Sequence, residues 1–237
     1  MWWGTKEEYF ELYDTASKHL KACFPELRIG GYASCGFYAI LEKEADPAAK
    51  CSPRTQYFLD FFDDFLAYIR AHGSPFDFFS WHSYAGIRDT VRFAAYARKK
   101  LDDAGLKVWT IGSPIGKIDL EKDDFALHTE KFKRTLELAA LLGAENIRLF
   151  SFFTPEENRA DAKAKVLERL ALFCRIAEGS GVTLCHENEK GIYGDIPERC
   201  LEIHQVLPEI KAIFDPANYV QCGVDTLHAW GLIRPHV

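Results

Sequence analysis

Apolar residues recur along the chain with two alternating periods. Repeats of three to four positions predict helices, and short unbroken apolar runs predict strands buried in a sheet. The clearest helical repeat begins at the cap Ser52-Pro53, carries four phenylalanines on its apolar face and ends at Gly73. Because helical and strand patterns alternate almost from one end of the chain to the other, the sequence predicts βαβ units around a parallel sheet.

The pattern contains six strands, at residues 27–33, 76–84, 108–111, 147–152, 182–187 and 210–214. Thr5 and Glu8 have the spacing of a capping box, which opens the first helix. Thr154-Pro155 and Asp195-Ile196-Pro197 have the residues typical of further helix starts. A complete (β/α)8 barrel has eight strands. Six strands therefore indicate an α/β protein of TIM-barrel type whose barrel is incomplete or rearranged.

Composition narrows the choice of compartment and partner. The 237 residues carry a net charge of −6 with both signs mixed, and no basic run favours a nucleic-acid partner. No apolar run approaches the roughly 20 residues that span a membrane, and the first residues do not resemble a signal peptide. The seven cysteines are odd in number and form no C-x-x-C pair, which argues against disulfides and thiolate zinc sites. We expect a cytoplasmic protein.

Residues 107–237 contain four segments that resemble the xylose-isomerase-like TIM barrels, the sugar phosphate isomerase/epimerase family. The segments are 113–117, 147–152, 186–195 and 214–218. The resemblance implies a barrel that binds a divalent metal and acts on a sugar. In that family two further strands carry a His and a Glu that complete the metal site, and both would lie beyond Val237.

Residues 1–106 resemble another barrel family, the β-xylosidase and α-L-iduronidase group of glycoside hydrolase family 39. The segments that carry the resemblance are 3–10, 27–31 and 77–84. Neither of that family's two catalytic carboxylates falls within the matching segments. The sequence is therefore interpreted as a hybrid, or a fragment, in which a hydrolase-like segment 1–106 and an isomerase-like segment 107–237 together form one domain.

Glu187 and Asp215 are the principal candidates for chemistry. Each lies at the carboxyl end of a predicted strand, and neighbouring barrel strands bring such positions together at the catalytic rim. Two facing carboxylates repel each other unless a cation lies between them, for which Mn²⁺ or Mg²⁺ is suited. The resemblance implies that both are catalytic metal ligands. The alternative is that Glu187 caps a loop and Asp215 begins a turn before Pro216.

Five further residues are candidates for substrate binding. Lys117 follows a Ser-Pro-x-Gly loop and could hold a phosphate, although a solvated lysine fits as well. Asn218 could contact a sugar or cap a turn, and His186 is better explained as a structural histidine. His82 could be a stray metal ligand or a packed ring. Arg148, on a predicted strand, is a weaker candidate of the same kind.

These residues favour a divalent-metal-dependent isomerase or epimerase of a small sugar or sugar phosphate, acting through an enediolate. Since two ligands are missing, we expect weak metal binding. Two alternatives stay open. A family-39-type glycosidase would need two carboxyl groups about 5 Å apart. An inactive hybrid or truncated barrel would leave open sheet edges, through which it could form a homo-oligomer. No membrane or nucleic-acid partner is predicted.

Overall fold

The computed structural model describes residues 4–34, 37–45, 51–81, 87–102 and 108–237. The chain divides into two compact units, Met1–Trp109 and Thr110–Val237. The described strands are β1 (Gly30–Ser34), β2 (Phe78–Trp81), β3 (Thr110–Ile115), β4 (Asn146–Leu149), β5 (Thr183–Glu187) and β6 (Lys211–Ile213). The described α-helices are α1 (Lys6–Cys23), α2 (Ala39–Ala45), α3 (Pro53–His72), α4 (Ile87–Asp102), α5 (Phe125–Leu142), α6 (Arg159–Ala177), α7 (Pro197–Val206), α8 (Pro216–Gln221) and α9 (Thr226–Ile233).

The first unit pairs two parallel strands beside an aromatic core. β1 and β2 are in register at Ser34 and Trp81, and Phe79 forms an isolated parallel bridge with Val108. The ring of Phe62 on α3 stacks on Phe79 of β2, with 4.5 Å between ring centroids. Both side chains are fully buried, as the helical phenylalanine repeat predicts.

The helix ends of the first unit follow the capping signals of the sequence. The Thr5 side chain accepts a hydrogen bond from the backbone of Glu8, and the Glu8 carboxylate accepts one from the backbone of Thr5. The Ser52 side chain caps α3 by accepting a hydrogen bond from the backbone N–H of Thr55, and Gly73 ends α3 with φ of 63°, which glycine adopts without strain. Caps of this kind satisfy backbone N–H groups that have no partner within the helix.

The second unit is built on four parallel strands in the order β3-β4-β5-β6. Ile147 and Leu184, which pair across β4 and β5, are buried on one face of this sheet. Phe173 of α6 packs on Phe132 of α5 with ring centroids 4.7 Å apart. Parallel strands alternate with helices in both units, which confirms the α/β class and the TIM-barrel type of repeat.

The helix predicted to open at Asp195-Ile196-Pro197 begins at Pro197, as expected, but two predicted capping residues are wrong. Thr154 does not cap a helix: a 3-10 turn at Glu156–Asn158 comes first, and α6 begins at Arg159. Asp195 does not cap α7 either, because its carboxylate is bound by Arg159 and Arg199. A charged partner binds a carboxylate more strongly than a backbone N–H does, so the ion pairs prevail. The short helices α2 and α8 were not predicted.

No helix among the described residues combines the length and the apolar character needed to cross a lipid bilayer.

Candidate functional site

Two carboxylates lie at the carboxyl ends of neighbouring strands in the second unit. β5 pairs with β6 so that Glu187 is opposite Ile213, and Asp215 follows two residues later in extended conformation. Because the strands are parallel, their carboxyl ends meet at one edge of the sheet. Burial raises the pKa of Glu187, and the negative charge of Asp215 adds to that rise. The two acids are therefore close enough to interact electrostatically.

The side chain of Asn188 fixes the position of Asp215. Its amide donates a hydrogen bond to the carbonyl of Asp215 and accepts one from the backbone N–H of Asp215, each 2.9 Å long. Asn188 is buried, and its backbone carbonyl accepts a hydrogen bond from the side-chain amide of Asn218 at 2.9 Å. The amide thus continues the pairing of β5 and β6 by one step. A buried amide with these partners has little freedom to move.

Glu187 has a guanidinium partner. The Arg148 side chain, on β4, donates a hydrogen bond from Nη1 to Glu187 Oε2 at 3.0 Å. The side chains are 21% and 12% exposed, so the ion pair is largely shielded from water. Burial raises the pKa of Glu187, while the charge of Arg148 and its hydrogen bond act in the opposite direction. The carboxylate is held in one orientation at the sheet edge.

A second ion pair lies beside the first. Lys117 Nζ is 2.5 Å from Glu189 Oε2, with side chains 32% and 24% exposed. The Lys117 ammonium lies 4.3 Å from the centroid of the Phe150 ring, and the Arg148 guanidinium lies 5.0 Å from the same centroid. Phe150 is fully buried and fixes both cations through its π-face. Lys117 is therefore not a freely solvated side chain.

The loops that carry these residues are tied together by backbone hydrogen bonds. The N–H of Phe152 donates to the carbonyl of Gly116, and the N–H of Tyr193 donates to the carbonyl of Phe152. Gly116 has φ of 87°, and a Cβ there would come within 1.9 Å of the Phe150 carbonyl oxygen. Phe152 has φ of 65°, a conformation that non-glycine residues rarely adopt. Such strain persists only where surrounding contacts enforce it.

His186 lies on the opposite face of β5 from Glu187, as strand alternation requires. It is 1% exposed, its Nε2 is 2.9 Å from Ser151 Oγ, and its ring lies 6.0 Å from that of His204 on α7. Burial lowers the pKa of His186 to about 3, so the ring is neutral. These contacts agree with a structural histidine and place it away from the carboxylates.

Other sequence candidates fall in different places. Asn218 binds Asn188 through its side chain, and its backbone N–H donates to the Asp215 carboxylate at 3.1 Å, so it serves the turn that begins α8. His82 lies outside the described residues. Glu189 was missed, although it lies only two residues beyond Glu187, just past the end of β5.

A protein-family model for xylose isomerase-like TIM barrels matches residues 64–232. The chain belongs to this family. The match starts well before residue 107 and so includes much of the segment that resembles family-39 hydrolases. Nothing in the comparisons supports the hydrolase resemblance or a hybrid origin, which stay predictions. No curated protein matches the chain.

Several solved structures have a fold similar to that of this xylose isomerase-like chain. A probable 3-DHS dehydratase, AsbF of Bacillus anthracis, has a TM-score of 0.58 at 16% identity over 87% of this chain and 70% of its own. The apo 3-keto-D-glucoside 4-epimerase YcjR of E. coli scores 0.56 at 14% identity over 73% and 70%. A xylose isomerase-like protein of Mycobacterium smegmatis, in complex with magnesium, scores 0.53 at 17% identity over 75% and 64%. The chain thus spans about two thirds of these proteins.

The side chains at this sheet edge only partly fit a divalent metal. Glu187 and Asp215 supply carboxylate oxygens, the ligand type that Mg²⁺ and Mn²⁺ prefer. Within the part of the chain that the structure describes, however, no group of three or more His, Cys, Asp and Glu could hold a metal ion. Glu187 already binds Arg148, and Asp215 accepts a hydrogen bond from Asn218. The described donor set is therefore too small for a complete metal site.

Proposed function

We propose that the carboxyl edge of β4, β5 and β6 isomerises or epimerises a small sugar or sugar phosphate by moving a proton beside a carbonyl group. The observation that carries the proposal is the largely shielded ion pair of Glu187 and Arg148 next to Asp215. In TIM-barrel enzymes the carboxyl ends of the strands carry the chemistry. A fixed carboxylate beside a fixed cation is the arrangement that proton abstraction next to a carbonyl requires.

Each side chain has a role in this proposal. Glu187 and Asp215 are the two groups that remove a proton from the carbon and return one to it. Arg148 holds the oxygen on which negative charge develops, since a guanidinium presents several N–H donors in one plane. Lys117, held by Glu189 and Phe150, is placed to bind a phosphate or hydroxyl group of the same substrate.

The comparisons support the reaction class at a coarse level. The family is named for xylose isomerase, and one structural neighbour is an epimerase of a keto sugar. Another neighbour is in complex with magnesium. When bound, such an ion polarises a substrate carbonyl. We propose that any binding of Mn²⁺ or Mg²⁺ by Glu187 and Asp215 is weak, because the described residues offer too few further ligands.

Deuterium exchange tests the reaction while the substrate is still unidentified. The chain is incubated in D₂O with a panel of ketoses, aldoses and their phosphates, with and without Mn²⁺. Proton NMR then follows the loss of the signal of the hydrogen bonded to the carbon beside the carbonyl. We expect exchange with at least one sugar, and the variant Glu187→Gln should slow it by about 100-fold or more, the usual contribution of a positioned acid or base.

Glu168→Gln is the matched control, since that glutamate is exposed and lies in the middle of helix α6 rather than at the end of a strand. It should exchange at the wild-type rate. The proposal would be abandoned if no sugar of the panel exchanged, or if Glu187→Gln and Glu168→Gln behaved alike.

A further inference from the structure

We propose that Arg148 is the resident cation of Glu187, the carboxylate beside Asp215, and that the two acids therefore need no divalent metal between them. The inference rests on the proposed function only for the location of the site. It assigns to one side chain the positive charge that two facing carboxylates require. It also makes a prediction about metal binding that needs no substrate.

The position of Arg148 in the sheet brings its charge to Glu187. In the register of β4 and β5, Arg148 is opposite Cys185, and Glu187 lies two residues further along the same side of β5. The guanidinium reaches Glu187 at 3.0 Å. On the neighbouring strand β3, Gly112 is the residue next to the guanidinium, and a Cβ at this position would be 3.6 Å from Arg148 Nη2. The glycine leaves the space beside the guanidinium open.

The surroundings of Arg148 keep the guanidinium at this position. The Phe150 ring lies 5.0 Å from it, an attractive distance for a cation and an aromatic face. Its Nε is buried and has no hydrogen-bond partner among the described residues. A partly buried guanidinium is costly to leave unpaired, so the ion pair with Glu187 compensates a charge that is largely shielded from water.

A divalent ion would have to compete with this arrangement. To bind both carboxylates, the ion must either displace the guanidinium from Glu187, which breaks the ion pair, or lie beside the guanidinium. In the second case the two positive charges repel each other at short range. Lys117 adds a second positive charge at the same Phe150 ring. Asp215 is also engaged, because its carboxylate accepts the Asn218 backbone N–H at the start of α8. The Glu187 carboxylate is therefore already paired with a cation, and the Asp215 carboxylate is already engaged by a backbone N–H.

Manganese binding tests the inference. Free Mn²⁺ is measured by electron paramagnetic resonance while wild type, Arg148→Met and Arg148→Lys are titrated at neutral pH and constant ionic strength. Arg148→Met leaves the two carboxylates without their cation and should bind Mn²⁺ about tenfold more tightly or better. Arg148→Lys keeps a positive charge and should stay near wild type. Arg134→Met on α5, which removes an exposed ion pair with Glu137, is the control for a general charge effect.

Two outcomes would overturn the inference. One is a wild-type chain that binds Mn²⁺ with sub-micromolar affinity, a result that needs no variant. The other is a folded Arg148→Met protein whose affinity equals that of wild type and of Arg134→Met. If Arg148→Met does not fold, the double variant Arg148→Met with Glu187→Gln removes both charges, and should recover folding without gaining metal affinity. Recovery of folding by Mn²⁺ in the single variant gives further support. Failure of the sugar-exchange assay would leave all these binding results unchanged, so the two proposals fail separately.

Discussion

The two units bury different kinds of side chain. The buried polar or charged side chains described in the first unit are two serines, Ser17 and Ser34, amid a core dominated by phenylalanine. The second unit buries charged and titratable groups as well, including Glu187, Asp195 and His204. Burying such groups costs free energy unless each finds a partner. The described core of the first unit is thus mainly apolar, whereas the second unit must provide partners for buried titratable groups.

The largest effect should come from the aromatic core of the first unit. Phe62→Ala removes a fully buried ring that stacks on Phe79 and contacts Phe37 at 5.4 Å between centroids. We expect a loss of about 3–5 kcal/mol in the free energy of unfolding, because the cavity left by a phenylalanine is only partly refilled. Urea unfolding followed by circular dichroism measures the loss.

The control for Phe62→Ala is Tyr57→Ala, on the same helix with half of its side chain exposed. It should cost less than about 1 kcal/mol. Equal losses for the two variants would mean that the aromatic cluster does not stabilise the first unit as a packed core.

The same contrast explains which features were predictable from the sequence. The phenylalanine repeat of α3 and the cap at Thr5 depend on neighbours within a few positions, so pattern and spacing were sufficient to predict them. Asp195 has the same local signal as a helix cap. Its partner Arg159, however, is 36 positions earlier in the chain (195 minus 159), where no local rule could find it.

The candidate site likewise contains some features that were predictable from local sequence pattern and others that were not. The strand ends at Glu187 and Asp215 follow from periodicity alone. The link between Glu187 and Arg148 depends on the register of β4 against β5, which a single sequence does not specify. Lys117 was expected to be either a ligand or solvated, and its pair with Glu189 joins two loops 72 positions apart (189 minus 117). The sequence identified the residue types of the site, but it could not show which distant residues pair with one another.

A smaller effect is expected from pH, at a buried histidine of the second unit. His204 is buried, its ring stacks on that of His236 at 5.1 Å, and its Nδ1 lies 3.0 Å from the carbonyl of Ile210. Burial lowers the pKa of His204 to about 4, a net value in which the hydrogen bond to the Ile210 carbonyl opposes the lowering and the charges of His236 and Lys211 add to it. The unfolded chain, with a pKa of about 6.5, binds the proton more readily. Stability is therefore complete above pH 6.5 and lost as pH falls towards 4.

Between pH 7 and pH 5 this histidine should cost about 2 kcal/mol of the free energy of unfolding. The variant His204→Leu should show a pH dependence flatter by about that amount, measured by urea unfolding at each pH. His228→Leu, which replaces a histidine that is 56% exposed and paired with Glu198, serves as the control. A wild-type stability that is constant from pH 7 to pH 5 would contradict the assignment of a neutral, buried His204.

The smallest effects should come from the exposed helix caps, where the two units ought to be alike. Thr5 caps α1 in the first unit, and Asp225 caps α9 in the second through a 2.7 Å hydrogen bond from the His228 backbone N–H. Replacing either by alanine should cost about 1 kcal/mol, because one N–H at each helix start loses its partner. Asp225→Ala should cost slightly more, since a negative charge at a helix N-terminus adds a favourable interaction that salt screens. Urea unfolding at low and high salt measures both terms. A loss several times larger for one cap than for the other would mean that the units differ in local helix stability as well as in what they bury.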